Sequence, residues 1–282
     1  MSTEIRVFQI FYNEETRASL DPDFEPLDNS DSERADWYEY WPIRNYLRRN
    51  ELKESTYYGF LSPRFLQKTR LRGAQVKDFA RGSPHADVVT FSPFPCHGAC
   101  FLNVFEQGEL FHPGLFEVSV EFFSGVDPKV KLDTLITHSR NTVFANFFLA
   151  KTGFWKAWTE VFDRLFALAE TPGSPLHARL NTAMNYRFKT DTHMKIFVME
   201  RAVSFLLASS PAYTVTNFPP FQLPLCPELD GRLADVVMLD ALKLAFAGTD
   251  DPNYLRLYAQ LRDRVLAGTW LADKPQAAKA AV

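Results

Sequence analysis

Asp36–Lys68, DWYEYWPIRNYLRRNELKESTYYGFLSPRFLQK, decides how the chain folds. It reads as a short amphipathic helix, a loop, a buried strand over Thr56–Leu61 and a loop rich in polar groups. Asp36 followed by Glu39 fits a capping box. Pro42 is tolerated only in the first helical turn, so the regular helix is expected to start near Trp41. The strand stops abruptly at Ser62-Pro63-Arg64-Phe65, with Lys68 just beyond. In open α/β sheets, ligands sit outside the carboxyl ends of the strands. A strand ending in Ser, Arg and Lys therefore points to an anionic or hydroxyl-rich ligand, and Glu39 and Arg44 of the preceding helix can face the same crevice. The competing reading makes Tyr40, Trp41 and Leu47 core and leaves Arg44, Arg64 and Lys68 solvated.

Upstream, Ile5–Tyr12 is an apolar, β-branched and aromatic run, predicted as the first and central strand. Residues 13–35 read as a long polar loop, of the kind that is usually functional or mobile, with Asp21-Pro22-Asp23 inside it. Downstream come a helix at Gln75–Arg81 and a third strand at Asp87–Phe91, broken by Ser92-Pro93-Phe94-Pro95. A helix is predicted at Ala99–Gly108, and Leu115–Phe123 fits helix or strand. Thr142–Ala150 reads as a fourth buried strand with a single amide, Asn146, in its middle. Phe154–Glu170 and Met194–Ala208 carry apolar residues at helical spacing. Residues 210–230 are proline-rich and irregular, and Ala234–Phe246 and Asn253–Leu266 form a closing pair of helices. Strands alternating with helices predict an α/β domain with a mainly parallel sheet. Residues 1–282 form one domain in this reading, with the α/β core over 5–210 and an irregular segment and helices over 211–282.

The chain has 282 residues, 46% hydrophobic and 15% aromatic with 26 Phe, enough for one large core. Its net charge of −3 and lack of a basic stripe argue against nucleic acid as the main partner. No charged leader runs into an apolar segment, and no apolar run reaches the roughly 20 residues that span a bilayer. Three cysteines, Cys96, Cys100 and Cys226, suit a reducing compartment, and a cytoplasmic location is expected. Cys96-His97-Gly98-Ala99-Cys100 looks like a metal fragment, but no second ligand pair accompanies it.

The blocks VFQIFY, EYWPIRNYL, YYGFLSPRF, DVVTF, NFFLAKTGFW, MKIFVMERAVSFLL and LDALKLAF, in this order, resemble little-characterised GT-A-like glycosyltransferase-type proteins of bacterial polysaccharide and surface-glycan gene clusters. The resemblance covers about residues 5–266. It implies a GT-A-like, Rossmann-like fold, a nucleotide-sugar donor and transfer of the sugar to a hydroxyl of a glycan or other acceptor. It also directs attention to an Asp-x-Asp motif, where a divalent cation meets the diphosphate. The only match is Asp21-Pro22-Asp23, in the first loop. After Asp87–Phe91, where the motif is expected, the chain has Ser92, Pro93 and Cys96-His97. No metal or other cofactor is therefore assigned, and Arg44, Arg64 and Lys68 are expected to meet the phosphates directly. A Mn²⁺ or Mg²⁺ site would have to draw on Asp21, Asp23 and Glu106.

An inverting transfer needs a general base beside the acceptor hydroxyl. Glu106, His97 and His112 follow the third strand and are the catalytic candidates; Glu109 lies among them. Glu39, Arg44, Ser62, Arg64, Lys68, Asn146 and Glu200 are the candidates for substrate binding. Asn146 and Glu200 stand out because a buried amide or carboxylate needs a partner, which protein or ligand must supply. The alternative function is a catalytically silent nucleotide- or sugar-binding module within a larger assembly. Gly-x-Ser-x-Gly, Walker A and Gly-x-Gly-x-x-Gly motifs are all absent, which lowers hydrolase, nucleotidase and dinucleotide oxidoreductase readings.

Overall fold

The structure is a computed structural model and describes residues 3–186, 189–267 and 269. β1 (Ile5–Phe11) leads through α1 (Glu14–Ala18) to β2 (Glu25–Asp28). A 3-10 turn at Ala35–Trp37 and α2 (Tyr40–Arg49) precede β3 (Tyr57–Leu61); α3 (Phe65–Thr69) and α4 (Gly73–Arg81) follow it. β4 (Val88–Thr90) then opens a helical stretch of α5 (Pro95–Cys100), α6 (Val104–Phe111) and α7 (Leu115–Val126). β5 (Phe148–Ala150) leads into α8 (Thr152–Glu170) and α9 (His177–Leu180), and β6 (Ala183–Tyr186) pairs with β7 (Lys189–His193) as a hairpin. The chain continues through α10 (Met194–Glu200), α11 (Ala202–Ser209) and β8 (Val215–Asn217), and closes with α12 (Leu233–Thr249) and α13 (Pro252–Leu266).

The main sheet has the order β2-β1-β3-β5-β4-β8. Only β5 runs antiparallel to its neighbours, so this is a mostly parallel α/β sheet flanked by helices with a helical C-terminal part. Side chains alternate between the two faces, as the strand period of two requires. Phe8, Tyr58, Phe60, Val88 and Phe148 face α2 and α8, where Ile43, Trp155, Trp158 and Phe162 bury their rings and methyls. Val7, Tyr57, Leu61, Val89 and Leu149 face the other way, onto Phe65, Val76 and Phe91. Each fully buried large side chain contributes about 1.5–3 kcal/mol. The strands at the sheet's centre lie close: a Cβ at Gly59 in β3 would sit 2.8 Å from Leu149 Cγ in β5.

Several sequence expectations change in the structure. β1 lies one place in from the edge, and β3 and β5 are central. The loop over 13–35 holds α1 and the edge strand β2, where Pro26 is acceptable because an edge strand leaves one row of N–H groups unpaired. Thr142–Ala150 is a strand only over Phe148–Ala150, because Ala145 and Asn146 both have φ of 57° and cannot continue an extended ladder. Residues 210–230 contain β8. Leu115–Val126 is helical, and Ala99–Gly108 is divided between α5 and α6. Met194–Ala208 breaks at Arg201, whose buried guanidinium donates to the carbonyls of Val104 and Phe197 and to Gln107 Oε1. The helix after Asp36 starts at Tyr40 with Glu39 at its N-cap, and no side chain caps it. Asp36 is instead bound to Arg34 and Lys195. Pro42 does fall in the first turn of α2, where its missing N–H costs nothing. Among the described residues no helix is long and apolar enough to cross a membrane.

Candidate functional site

The antiparallel course of β5 brings its start to the carboxyl ends of its parallel neighbours. Phe91 N–H, just past β4, donates to Phe147 O, just before β5, at 2.9 Å. Three turns therefore meet along one edge of the sheet: Ser62–Lys68 after β3, Ser92–Phe94 after β4, and Ala145–Phe147 before β5.

Glu39 lies at this edge because it is the N-cap of α2, the helix that leads into β3. Its residue surface is partly exposed, while protein surrounds its carboxyl. Burial pushes the carboxyl up to about 7; Lys68 opposes the rise, Glu200 reinforces it, and Arg64 and a hydrogen bond with Ser62 oppose it. Ser62, Arg64, Lys68 and Glu200, four residues named from sequence, thus all act on the carboxylate of a fifth, Glu39. Lys68 Nζ lies over the rings of Phe147, at 5.4 Å, and Phe94, at 5.8 Å. These rings hold the ammonium through cation–π attraction. Ser62 is buried and its Oγ accepts from Arg64 N–H at 3.3 Å, which fixes the turn after β3. Glu200 ends α10 and meets Arg201 Nη1 at 3.4 Å.

Asn146 is 3% exposed, and neither its side-chain oxygen nor its nitrogen has a hydrogen-bond partner. Leaving a buried polar group unpaired costs about 1–3 kcal/mol. Its backbone is also left-handed, as is that of Ala145. Tyr38, immediately before Glu39, has φ of 50° and ψ of −129°, a conformation that L-residues other than glycine avoid. Phe94, beneath Lys68, is left-handed as well. Of the six non-glycine residues with positive φ among the described residues, these four lie next to Glu39 in sequence or in the turns that meet after β4 and before β5. Strain of this kind clusters at functional sites. Sequence reading missed it, since nothing in Tyr38, Phe94 or Ala145 as residue types announces a positive φ.

Other expected site residues lie elsewhere. Arg44 does not reach the crevice; its Nε binds Asp163 Oδ1 on α8 at 2.9 Å and its guanidinium packs over Phe166 and Trp41. Glu106 turns toward the C-terminal helices, accepting from Leu102 N–H at 2.6 Å and Arg262 Nη1 at 3.1 Å. Glu109 accepts from the backbone of Gly114 and Phe116. His112 is stacked on Phe197 at 3.6 Å, and burial, with Arg201 nearby, drives its pKa to about 3, far too low for a general base near neutrality. His97 is packed against the Phe111 ring, bonded to Gln107 at 3.2 Å, and lowered by burial. Glu106, His97 and His112 thus lie apart from Glu39, the first bound by Leu102 and Arg262 and the two histidines lowered by burial.

The carboxylates considered for a cation are dispersed. Asp21 is buried, and its two oxygens accept from Asp23 N–H and Gly73 N–H, each at 3.0 Å. Among the described residues the one group that brings three metal-ligating side chains within 4.8 Å is Cys96, His97 and Cys226. Cys96 and Cys226 are joined as a disulfide across 130 residues, where the sequence reading expects thiols; Cys100 is a buried free thiol. No protein-family model, curated protein or solved structure matches this chain.

Proposed function

We propose that the chain is a glycosyltransferase of bacterial glycan biosynthesis, acting on a nucleotide-sugar donor and a hydroxyl acceptor, with a GT-A-like version of the α/β fold. The observation that carries this reading is Glu39: a carboxylate with a pKa of about 7, under two cationic side chains, at the carboxyl ends of parallel strands. A general base works best when its pKa lies near the operating pH. In the proposed step the acceptor oxygen attacks the anomeric carbon, and the bond from that carbon to the diphosphate oxygen breaks. The bonding pair leaves with the diphosphate, and Glu39 takes the hydroxyl proton. Arg64 and Lys68 stabilise the charge that develops on the leaving diphosphate, the work a divalent cation does in other sites. Asn146 offers an amide NH2 and a carbonyl oxygen to sugar hydroxyls. Glu200 keeps Glu39 from ionising too early.

Calorimetry with UDP-, GDP- and CMP-sugars tests this. One donor class should bind, and Arg64→Ala should weaken it about tenfold or more, since a charged hydrogen bond contributes roughly 1.5–3 kcal/mol. Binding should survive EDTA and fall with ionic strength. A gain of more than about tenfold on adding Mn²⁺ would reject the direct-charge reading. Glu39→Gln should keep donor affinity and lower the transfer rate about 10²- to 10⁴-fold. A wild type that binds a nucleotide-sugar tightly yet transfers to no acceptor would be a silent binding module.

A further inference from the structure

A second cleft, of about 410 Å³, opens at the carboxyl end of the edge strand β2, between the loop over 29–33 and the outer face of α2. It is lined by hydroxyls, amides and ring edges. Ser32 Oγ is buried there without a hydrogen-bond partner. Asn45 and the Tyr46 hydroxyl also point no hydrogen bond at protein among the described contacts, although Tyr46 is fixed by its ring, 4.5 Å from Phe8 and 5.2 Å from Phe60. Asp28, Asp31 and Glu33 contribute three carboxylates against the single guanidinium of Arg49.

Two features relate the cleft wall to the backbone at Glu39. Glu39, Pro42, Tyr46 and Arg49 recur at spacings of 3, 4 and 3, so they form one stripe along α2, and the last three line the cleft. Asn29, in the opposite wall, donates to the carbonyl of Tyr38 at 3.4 Å, one residue before Glu39.

We infer that this cleft binds a hydroxyl-rich oligosaccharide, uncharged or amine-bearing, with one end directed along α2 toward Glu39. Unpaired hydroxyl and amide groups set in a concave wall with aromatic edges match vicinal hydroxyls and the apolar faces of sugar rings. The excess of carboxylates disfavours phosphate, sulfate and uronate groups. Only the designation of this ligand as the acceptor rests on the transferase reading; binding itself does not.

The test is saturation-transfer NMR and calorimetry on the full chain with cellotetraose, chitotetraose, a glucosamine tetramer and tetragalacturonate. A neutral or amine-bearing tetramer should bind. Asn45→Ala and Tyr46→Phe should each weaken it severalfold, and together at least about tenfold. Tyr46→Phe removes one oxygen and keeps the ring contacts, so it reads the cleft even if Asn45→Ala unfolds the protein. Tetragalacturonate should not compete. The inference is overturned if neutral and cationic tetramers all fail to bind at roughly 10 mM, if the variants leave binding unchanged, or if tetragalacturonate binds as well as the others. Nucleotide-sugar binding, measured on the same samples, reports separately on the Glu39 site. A chain that binds tetramers and no nucleotide-sugar keeps this cleft and loses the transferase reading.

Discussion

Two carboxylates three residues apart, Asp36 and Glu39, have opposite fates. Burial raises both, but Asp36 is held at about 2 because hydrogen bonds from Arg34 and Lys195 outweigh that rise, while Glu39 is left at about 7. Around Asp36 the charges are complete. Lys195, buried, binds Asp36 at 2.6 Å, Asn181 at 3.0 Å and Glu170 at 3.4 Å, and lies over the Trp37 ring. Arg34 adds bonds to both Asp36 and Glu170. Around Glu39 the cations stand near enough to lower its pKa and yet not enough to overcome burial and Glu200. The first cluster ties the turn before α2 to α8 and α10. The second surrounds a carboxylate that its neighbouring cations leave raised, and it is the cluster to which the proposed function assigns the donor. Carboxylates driven apart by environment mark different tasks.

The largest effect expected from breaking this contrast is on the complete cluster. Lys195→Met removes the ammonium and leaves Asp36 and Glu170 short of a partner in a half-buried site. Breaking a buried ion pair from one side costs about 3–5 kcal/mol. Urea unfolding should show that loss at pH 7. Lys68→Met should cost less than about 1 kcal/mol, because Lys68 is only half-buried and its charge interactions are screened by solvent. It should instead weaken donor binding. Equal stability losses from the two variants would end the distinction between a structural and a functional cluster.

A smaller effect concerns pH. Glu39 has a folded-state pKa of about 7 against an ordinary 4.5, so the native chain holds a proton that the unfolded chain has already lost. Stability must therefore fall as pH rises from about 4.5 to about 7, and level off above. Because the residue is partly exposed and solvent screens the charge, the loss is on the order of 1–3 kcal/mol. Asp36 acts in the opposite sense and at lower pH. Its depressed pKa gives stability that is present above about 4 and lost as pH falls toward about 2. Glu39→Gln should flatten the upper slope and raise stability at pH 8, leaving the acid limb in place. An unchanged slope between pH 4.5 and 7 would show that Glu39 ionises normally.

The alternation of β1, β3, β4 and the long α8 was legible because buried strands and amphipathic helices write their periods into the sequence. Five of the candidate site residues are legible because Ser62, Arg64 and Lys68 follow a strand end, Glu39 lies on the helix leading into that strand, and Glu200 interrupts an apolar helix. What was not legible depended on tertiary contacts. β2 is short, polar and contains Pro26, so it carries no strand pattern. The reversal at Ala145–Asn146 is imposed by packing, which is why a nine-residue apolar run was read as one strand. Arg44 has the same side chain as Arg64, and only the presence of Asp163 on α8 decides that it faces away. Glu106, His97 and His112 lie away from Glu39 for a related reason: sequence shows that a titratable group exists, and packing decides what surrounds it.

The smallest expected effect sharpens the comparison from inside the crevice. Asn146 combines a left-handed backbone with a buried amide that meets no protein partner. Both features cost stability. Asn146→Gly relieves the backbone strain, since glycine adopts positive φ freely, and removes the unpaired amide. Against this stands the extra flexibility of glycine in the unfolded chain, about 0.5–1 kcal/mol. The net expectation is a gain of roughly 1 kcal/mol in urea unfolding, with donor affinity reduced several-fold. A group retained for folding would give the reverse, lower stability and unchanged binding. That outcome would move Asn146 out of the ligand site and into the scaffold with Asp36.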